Sequence, residues 1–152
     1  MTAPTTACPP PLATIGYQSA TLADVIGRLR SAGVRTVIDV RAIAASRRPG
    51  FSKTMLAASL AEAGIGYVHL RALGTPKAGR EAARAGRIAE MRAIFEAHLE
   101  EPDAQTQLAE AADLAGERPA ALLCFEADAG GCHRAVIAER LCAASGCAIV
   151  DL

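Results

Sequence analysis

The residues of this 152-residue chain that could do chemistry fall into a few short clusters, and the densest is Gly130-Gly131-Cys132-His133-Arg134. Two glycines let the backbone turn tightly into a helix start, where free amides and the helix dipole favour an anion. The same field lowers a cysteine pKa, which makes Cys132 a candidate thiolate nucleophile. Arg134 and Arg41 are candidates to grip phosphate or carboxylate through paired hydrogen bonds. His133 and His69 are candidate proton carriers. Against this stands the ordinary fate of a helical cysteine, which is to be a small buried hydrophobe.

Asp39 ends an apolar run two residues before Arg41. It is a candidate general base or metal ligand, with an ion pair that fixes the loop as the alternative. Glu126 stands two residues after Cys124 and is a candidate proton carrier. Tyr17, Ser46 and Arg47 join Arg41, Arg134 and His69 as candidate substrate-binding residues. Cys124, Cys132, His133 and His69 have the residue types of a zinc site. The Cys-x7-Cys-His spacing is not a standard structural pattern and adjacent ligands strain the geometry, so zinc is not favoured. A phosphatase or sulfurtransferase loop at Cys124 is rejected, because Glu126 and Asp128 follow where such a loop needs an arginine. His98 is read as a surface residue.

The elements that must position these residues alternate. Ala13–Tyr17 reads as a short strand. Thr21 and Asp24 form a variant capping box for a helix whose stripe is Leu22, Val25, Ile26 and Leu29, closed by Gly33. Thr36–Val40 is a β-branched strand. After a loop from Arg41, Ser52 caps a helix through Ala63, and Ile65–Leu70 is a third strand. Ala82–Glu100 reads as one helix with Ile88, Met91, Phe95 and Leu99 on one face. Asp103 caps the next helix, to about Ala115. Ala120–Phe125 is an apolar strand, a helix runs from about Cys132 to Ala144, and Cys147–Val150 is the last strand.

Strands separated by helices imply right-handed crossovers. The predicted fold is α/β: a three-layer Rossmann-like sandwich with a mostly parallel five-stranded sheet and helices on both faces. The strand order 3-2-1-4-5 is assumed by analogy with common doubly wound halves. The candidate residues then collect beyond the carboxyl ends of the strands, where such sheets bind ligands. Residues 1–12, rich in Thr and Pro, read as a flexible tail, and 13–152 as a single α/β domain.

The formal net charge is zero, but Arg41–Arg92 holds ten Lys or Arg against three acids, while 93–117 holds seven acids and no Lys or Arg. The first stretch can meet an anion; the second argues against a surface that coats nucleic acid throughout. Five aromatics leave little for base stacking. No membrane span and no secretory signal are read, so the expected location is cytoplasmic, with no membrane partner. The five cysteines are odd in number and expected to be reduced, Cys142 and Cys147 as core residues and Cys8 as incidental. No Gly-x-Gly-x-x-Gly follows the first strand, so no dinucleotide cofactor is assigned.

An ordered set of motifs resembles a known family. It comprises Thr14-Ile15-Gly16-Tyr17, Asp39-Val40-Arg41, Ser46-Arg47 with Pro49-Gly50-Phe51-Ser52, and Tyr67-Val68-His69-Leu70 with Leu73-Gly74. Cys124-Phe125-Glu126 and Cys132-His133-Arg134 complete it. Together they resemble the domain of unknown function 488 family over about Ala13–Leu141. That family more often carries His where this chain has Tyr17, and a second glycine where it has Thr75. The resemblance implies the α/β fold and the choice of site residues; it implies no reaction. On residue chemistry, the leading expectation is an enzyme, a hydrolase or transferase, acting on a phosphate-bearing small molecule, nucleotide or nucleic-acid end. A non-catalytic nucleotide or nucleic-acid binding module and a thiol redox or metal site using Cys124 and Cys132 are the alternatives.

Overall fold

The structure is a computed structural model that describes residues 9–152. Residues 1–8 of the expected tail, with Cys8, lie outside the described residues. The sheet begins one residue before the expected strand, with β1 at Leu12–Gly16. There follow α1 (Leu22–Ser31), β2 (Thr36–Asp39), α2 (Lys53–Glu62), β3 (Gly66–His69), α3 (Lys77–Arg84), α4 (Ile88–Leu99), α5 (Pro102–Glu117), β4 (Ala120–Cys124), α6 (Arg134–Ser145) and β5 (Ile149–Asp151). All the strand pairs are parallel.

Period-two alternation divides each strand between two cores. Val37, Ala121 and Leu123 face Val25 and Leu29 of α1 and Leu56 and Leu60 of α2. Ile38, Val40, Leu122 and Cys124 face Met91, Phe95 and Leu99 of α4, with α5 and α6. Cys124 therefore looks toward the same layer as α6. Of the predicted stripe, α4 buries Met91, Phe95 and Leu99, with Ile88 partly buried against them. The Thr21–Asp24 capping box forms reciprocally, Asp24 N–H donating to Thr21 Oγ1 and Thr21 N–H to the Asp24 carboxylate, both at 3.1 Å.

Four expectations are corrected. The strand order is β3-β2-β4-β1-β5, so β4 and not β1 lies beside β2. The wholly buried Ala-Ala-Leu-Leu-Cys of β4 suits a central position covered on both faces. The expected long helix Ala82–Glu100 is two helices. Gly86 closes α3 at φ 78, a left-handed turn that α4 leaves in a new direction. In α5, Glu101 is the cap and Pro102 the first residue, placing Asp103 inside the first turn. Finally, Cys142 and Cys147 form a disulfide with Cα atoms 4.6 Å apart. Gly146, left-handed at φ 78, ends α6 and turns the chain back so that the two meet. Among the described residues, no helix is long and apolar enough to cross a membrane.

Candidate functional site

The strand order determines which loops are neighbours. With β4 between β2 and β1, the loops after Asp39, Cys124 and Gly16 open side by side at the carboxyl edge. Val40 N–H donates to the Leu123 carbonyl at 3.2 Å. At the end of β1, a Cβ on Gly16 would sit 1.7 Å from the Glu126 carbonyl oxygen, so only glycine lets the β4 loop lie this close. Gly74 does the same for the β2 loop, where a Cβ would fall 2.2 Å from Ala42 Cα.

Asp39 and Arg41 are engaged with each other. Asp39 is fully buried and Arg41 nearly so. Arg41 donates from Nε to Oδ1 at 2.8 Å and from Nη2 to Oδ2 at 2.7 Å. Its Nη1 donates to Tyr17 Oη at 3.0 Å and to the Phe51 carbonyl at 2.7 Å. Tyr67 Oη donates to Asp39 Oδ2. Burial alone would lower the Arg41 pKa, but Asp39 overrides it and holds the guanidinium more firmly protonated than usual. Burial and the Asp39 carboxylate push the Tyr67 hydroxyl up. Tyr17 stacks on Phe51 at 4.3 Å between ring centres and buttresses the pair. This is the ion pair that fixes the loop, with four guanidinium hydrogen bonds committed to protein.

On the other side, Cys124 from β4 and Cys132 and His133 before α6 converge, with one ligand-type atom from each lying within 4.8 Å of the others. His133 Nδ1 is 3.6 Å from Cys132 Sγ and 3.7 Å from Cys124 Sγ. Its Nε2 meets the Val40 carbonyl at 2.6 Å. A carbonyl only accepts, so Nε2 carries a proton and Nδ1 faces the sulfurs. Cys124 Sγ approaches the Glu126 carboxylate at 3.4 Å. Burial pushes the Cys132 thiol up, but Cys124, His133 and the Arg134 charge outweigh it and hold it well below its ordinary value. The bond to Cys132, then burial, drive the Cys124 thiol the opposite way. Burial would lower the His133 pKa, and the Cys132 sulfur more than reverses this. Burial, then the Cys132 charge, raises the Glu126 carboxyl.

Arg134 is buried and clasps the β4 loop, Nη1 donating to the Glu126 carbonyl at 2.5 Å and Nη2 to that of Ala127 at 3.3 Å. Its Nε is buried with no hydrogen-bond partner among the described residues.

A cavity of about 350 Å³ joins the two sides. Tyr17, Arg41, Ser46, Arg47, Cys124, Glu126, Cys132 and His133 line it, so most of the sequence-selected residues meet there. Ser46 also shapes its loop, its Oγ accepting from Arg48 N–H at 3.1 Å. Asp39 and Arg134 support the wall from behind. His69 does not line the cavity; its Nε2 bonds the Arg41 carbonyl at 2.8 Å. His98, read as a surface residue, is half-buried with Nε2 on the Ala72 carbonyl at 2.7 Å.

Two charged lining residues were missed by sequence reasoning: Arg80 and Arg84 of α3. They stand four residues apart and so share one helix face. The basic stretch Arg41–Arg92 was the signal, but charge alone does not say which side chains turn inward. Arg47, Arg80 and Arg84 have no acidic partner among the described residues.

The family model described as "Domain of unknown function DUF488" matches residues 21–141. The chain belongs to that family. No curated protein and no solved structure matches it.

Proposed function

We propose, for this member of a family whose description assigns no activity, that the cavity is the active site of an enzyme acting on a small phosphate-bearing substrate. The observation that carries this reading is the mixed lining of the cavity. Arg47, Arg80 and Arg84, without acidic partners among the described residues, line it. So do a carboxyl, an imidazole and two thiols. Guanidinium groups bind phosphate oxygens through directed, charge-assisted hydrogen bonds. A substrate anchored on them would present its reacting bond to Glu126, Cys132 and His133. More reactive types converge there than anion binding alone requires.

Arg41 and Arg134 spend both terminal nitrogens on protein acceptors, so the anion-binding role passes to Arg47, Arg84 and Arg80, the last of which spends only Nη1, on the Thr75 carbonyl at 2.8 Å. Arg41 instead presents a fixed, compensated wall. Asp39 orients Arg41 and takes no proton from substrate. Glu126 is the proton carrier, because its carboxyl lines the cavity while its backbone is anchored by Arg134. The cavity volume suits a phosphorylated metabolite or mononucleotide better than a polynucleotide.

The test is turnover across a panel of phosphomonoesters, phosphodiesters and nucleotides, followed by release of inorganic phosphate or nucleoside. Glu126→Gln is expected to lower kcat by at least about a hundredfold, as loss of a general acid or base does, with substrate binding retained. Binding without turnover of any panel member would replace the enzyme by a binding module.

A further inference from the structure

We propose that Cys124, Cys132 and His133 form a three-ligand site for one soft divalent cation of the zinc class, its fourth position left to the cavity. A tetrahedral zinc ion with Zn–S about 2.3 Å and Zn–N about 2.0–2.1 Å sets sulfur and nitrogen ligands about 3.6 Å apart. The two Sγ–Nδ1 separations here are 3.6 and 3.7 Å. No other His, Cys, Asp or Glu joins this group among the described residues, and His69 is occupied elsewhere.

The imidazole is set as a ligand. Metal-bound histidines commonly donate their second ring N–H to a carbonyl or carboxylate, which fixes the tautomer and aims the free nitrogen. His133 does this with Val40 at 2.6 Å. Its ring is further held edge-on to Phe95, centroids 5.1 Å apart at 72°. The adjacency of Cys132 and His133, which argued against zinc in the sequence, is resolved by the backbone. Cys132 is extended at φ −129, ψ 146, and His133 is helical at φ −62, ψ −21. That change of conformation between neighbours brings Sγ and Nδ1 to one point.

The donor set also selects the ion. Two thiolates and an imidazole suit zinc and disfavour magnesium or calcium, which prefer oxygen. Structural zinc sites close with four protein ligands, whereas catalytic ones hold three and keep a position open. All three ligand residues and Glu126 line the same cavity. Glu126 is thus beside the open position without belonging to the three-atom cluster.

The test loads the purified, reduced full chain with Zn2+ or Co2+ alone, without substrate. We expect one metal per chain and, for Co2+, sulfur-to-cobalt charge transfer together with intense four-coordinate d–d bands. Cys132→Ser, Cys124→Ser and His133→Gln should each weaken binding by more than about a hundredfold, beyond the loss typical of outer partners. Glu126→Gln and the Cys142→Ser/Cys147→Ser pair should retain it. Should a ligand variant fail to fold, the spectrum of Cys142→Ser/Cys147→Ser, which lacks the thiols that reduction frees there, decides. An oxygen-only octahedral cobalt spectrum, no stoichiometric metal, or undiminished binding by a folded Cys132→Ser would overturn the assignment. Metal content is read without substrate, so this result and the phosphate-panel result fail separately.

Discussion

Asp39→Asn keeps the shape of the buried carboxylate and removes its charge. Asp39 accepts from Arg41 Nε and Nη2, from the Arg41 backbone N–H at 3.1 Å, and from Tyr67 Oη. The variant leaves the Arg41 guanidinium, on a side chain only 5% exposed, without a counter-charge. Breaking one half of a buried ion pair costs about 3–5 kcal/mol, because the remaining charge stays desolvated. At about 2–4 °C per kcal/mol for a chain of this size, Tm should fall by about 6–20 °C. Thermal and urea unfolding followed by circular dichroism measure this. Arg41→Met should lose a similar amount. The double variant should lose clearly less than the sum, because neither charge is then left unpaired. A loss below about 1 kcal/mol for Asp39→Asn would instead be the behaviour of a solvated surface pair.

Gly16→Ala should destabilise by at least about 2 kcal/mol, since its Cβ would fall 1.7 Å from the Glu126 carbonyl oxygen and force the loop away. Urea unfolding gives the loss, and amide exchange at Glu126 and Ala127 should rise. Arg134→Met retains the stem but loses the bonds to the Glu126 and Ala127 carbonyls, for about 2–3 kcal/mol in the same unfolding assay. Reducing the Cys142–Cys147 bond opens a short ring between residues five apart, worth about 2 kcal/mol by loop entropy. Unfolding with and without reductant, with Cys142→Ser/Cys147→Ser as the insensitive control, checks it.

The periodic features were legible in the sequence. The α4 stripe of Met91, Phe95 and Leu99, the Thr21–Asp24 capping box and the parallel α/β layering follow from local residue patterns. The strand order was not, because no local pattern distinguishes β1 from β4 as the neighbour of β2; both are short and apolar. That one exchange carries much of the site, since it places Val40 where His133 can bond it. Cys124, Glu126, Cys132 and His133 were selected by type and by their positions at strand and helix ends. What the residue types could not distinguish was a charged group that faces the cavity from one that faces protein. Arg134 and Arg41 looked like anion ligands and are tied to backbone and Asp39. Arg80 and Arg84 were not singled out in the sequence and line the cavity. The Cys142–Cys147 bond depends on Gly146 turning back at the end of α6, a geometry that cysteine counting does not reveal.

If Arg47, Arg80 and Arg84 bind phosphate in this cavity, calorimetric titration of pyrophosphate and mononucleotides into the wild type and into Arg80→Ala/Arg84→Ala will show it. Loss of two charge-assisted contacts, each about 1.5–3 kcal/mol, predicts binding in the double variant weaker by at least a factor of about a hundred, with the fold unchanged by circular dichroism. Equal affinity in both proteins, or no binding of any phosphate-bearing ligand by the wild type, would contradict it.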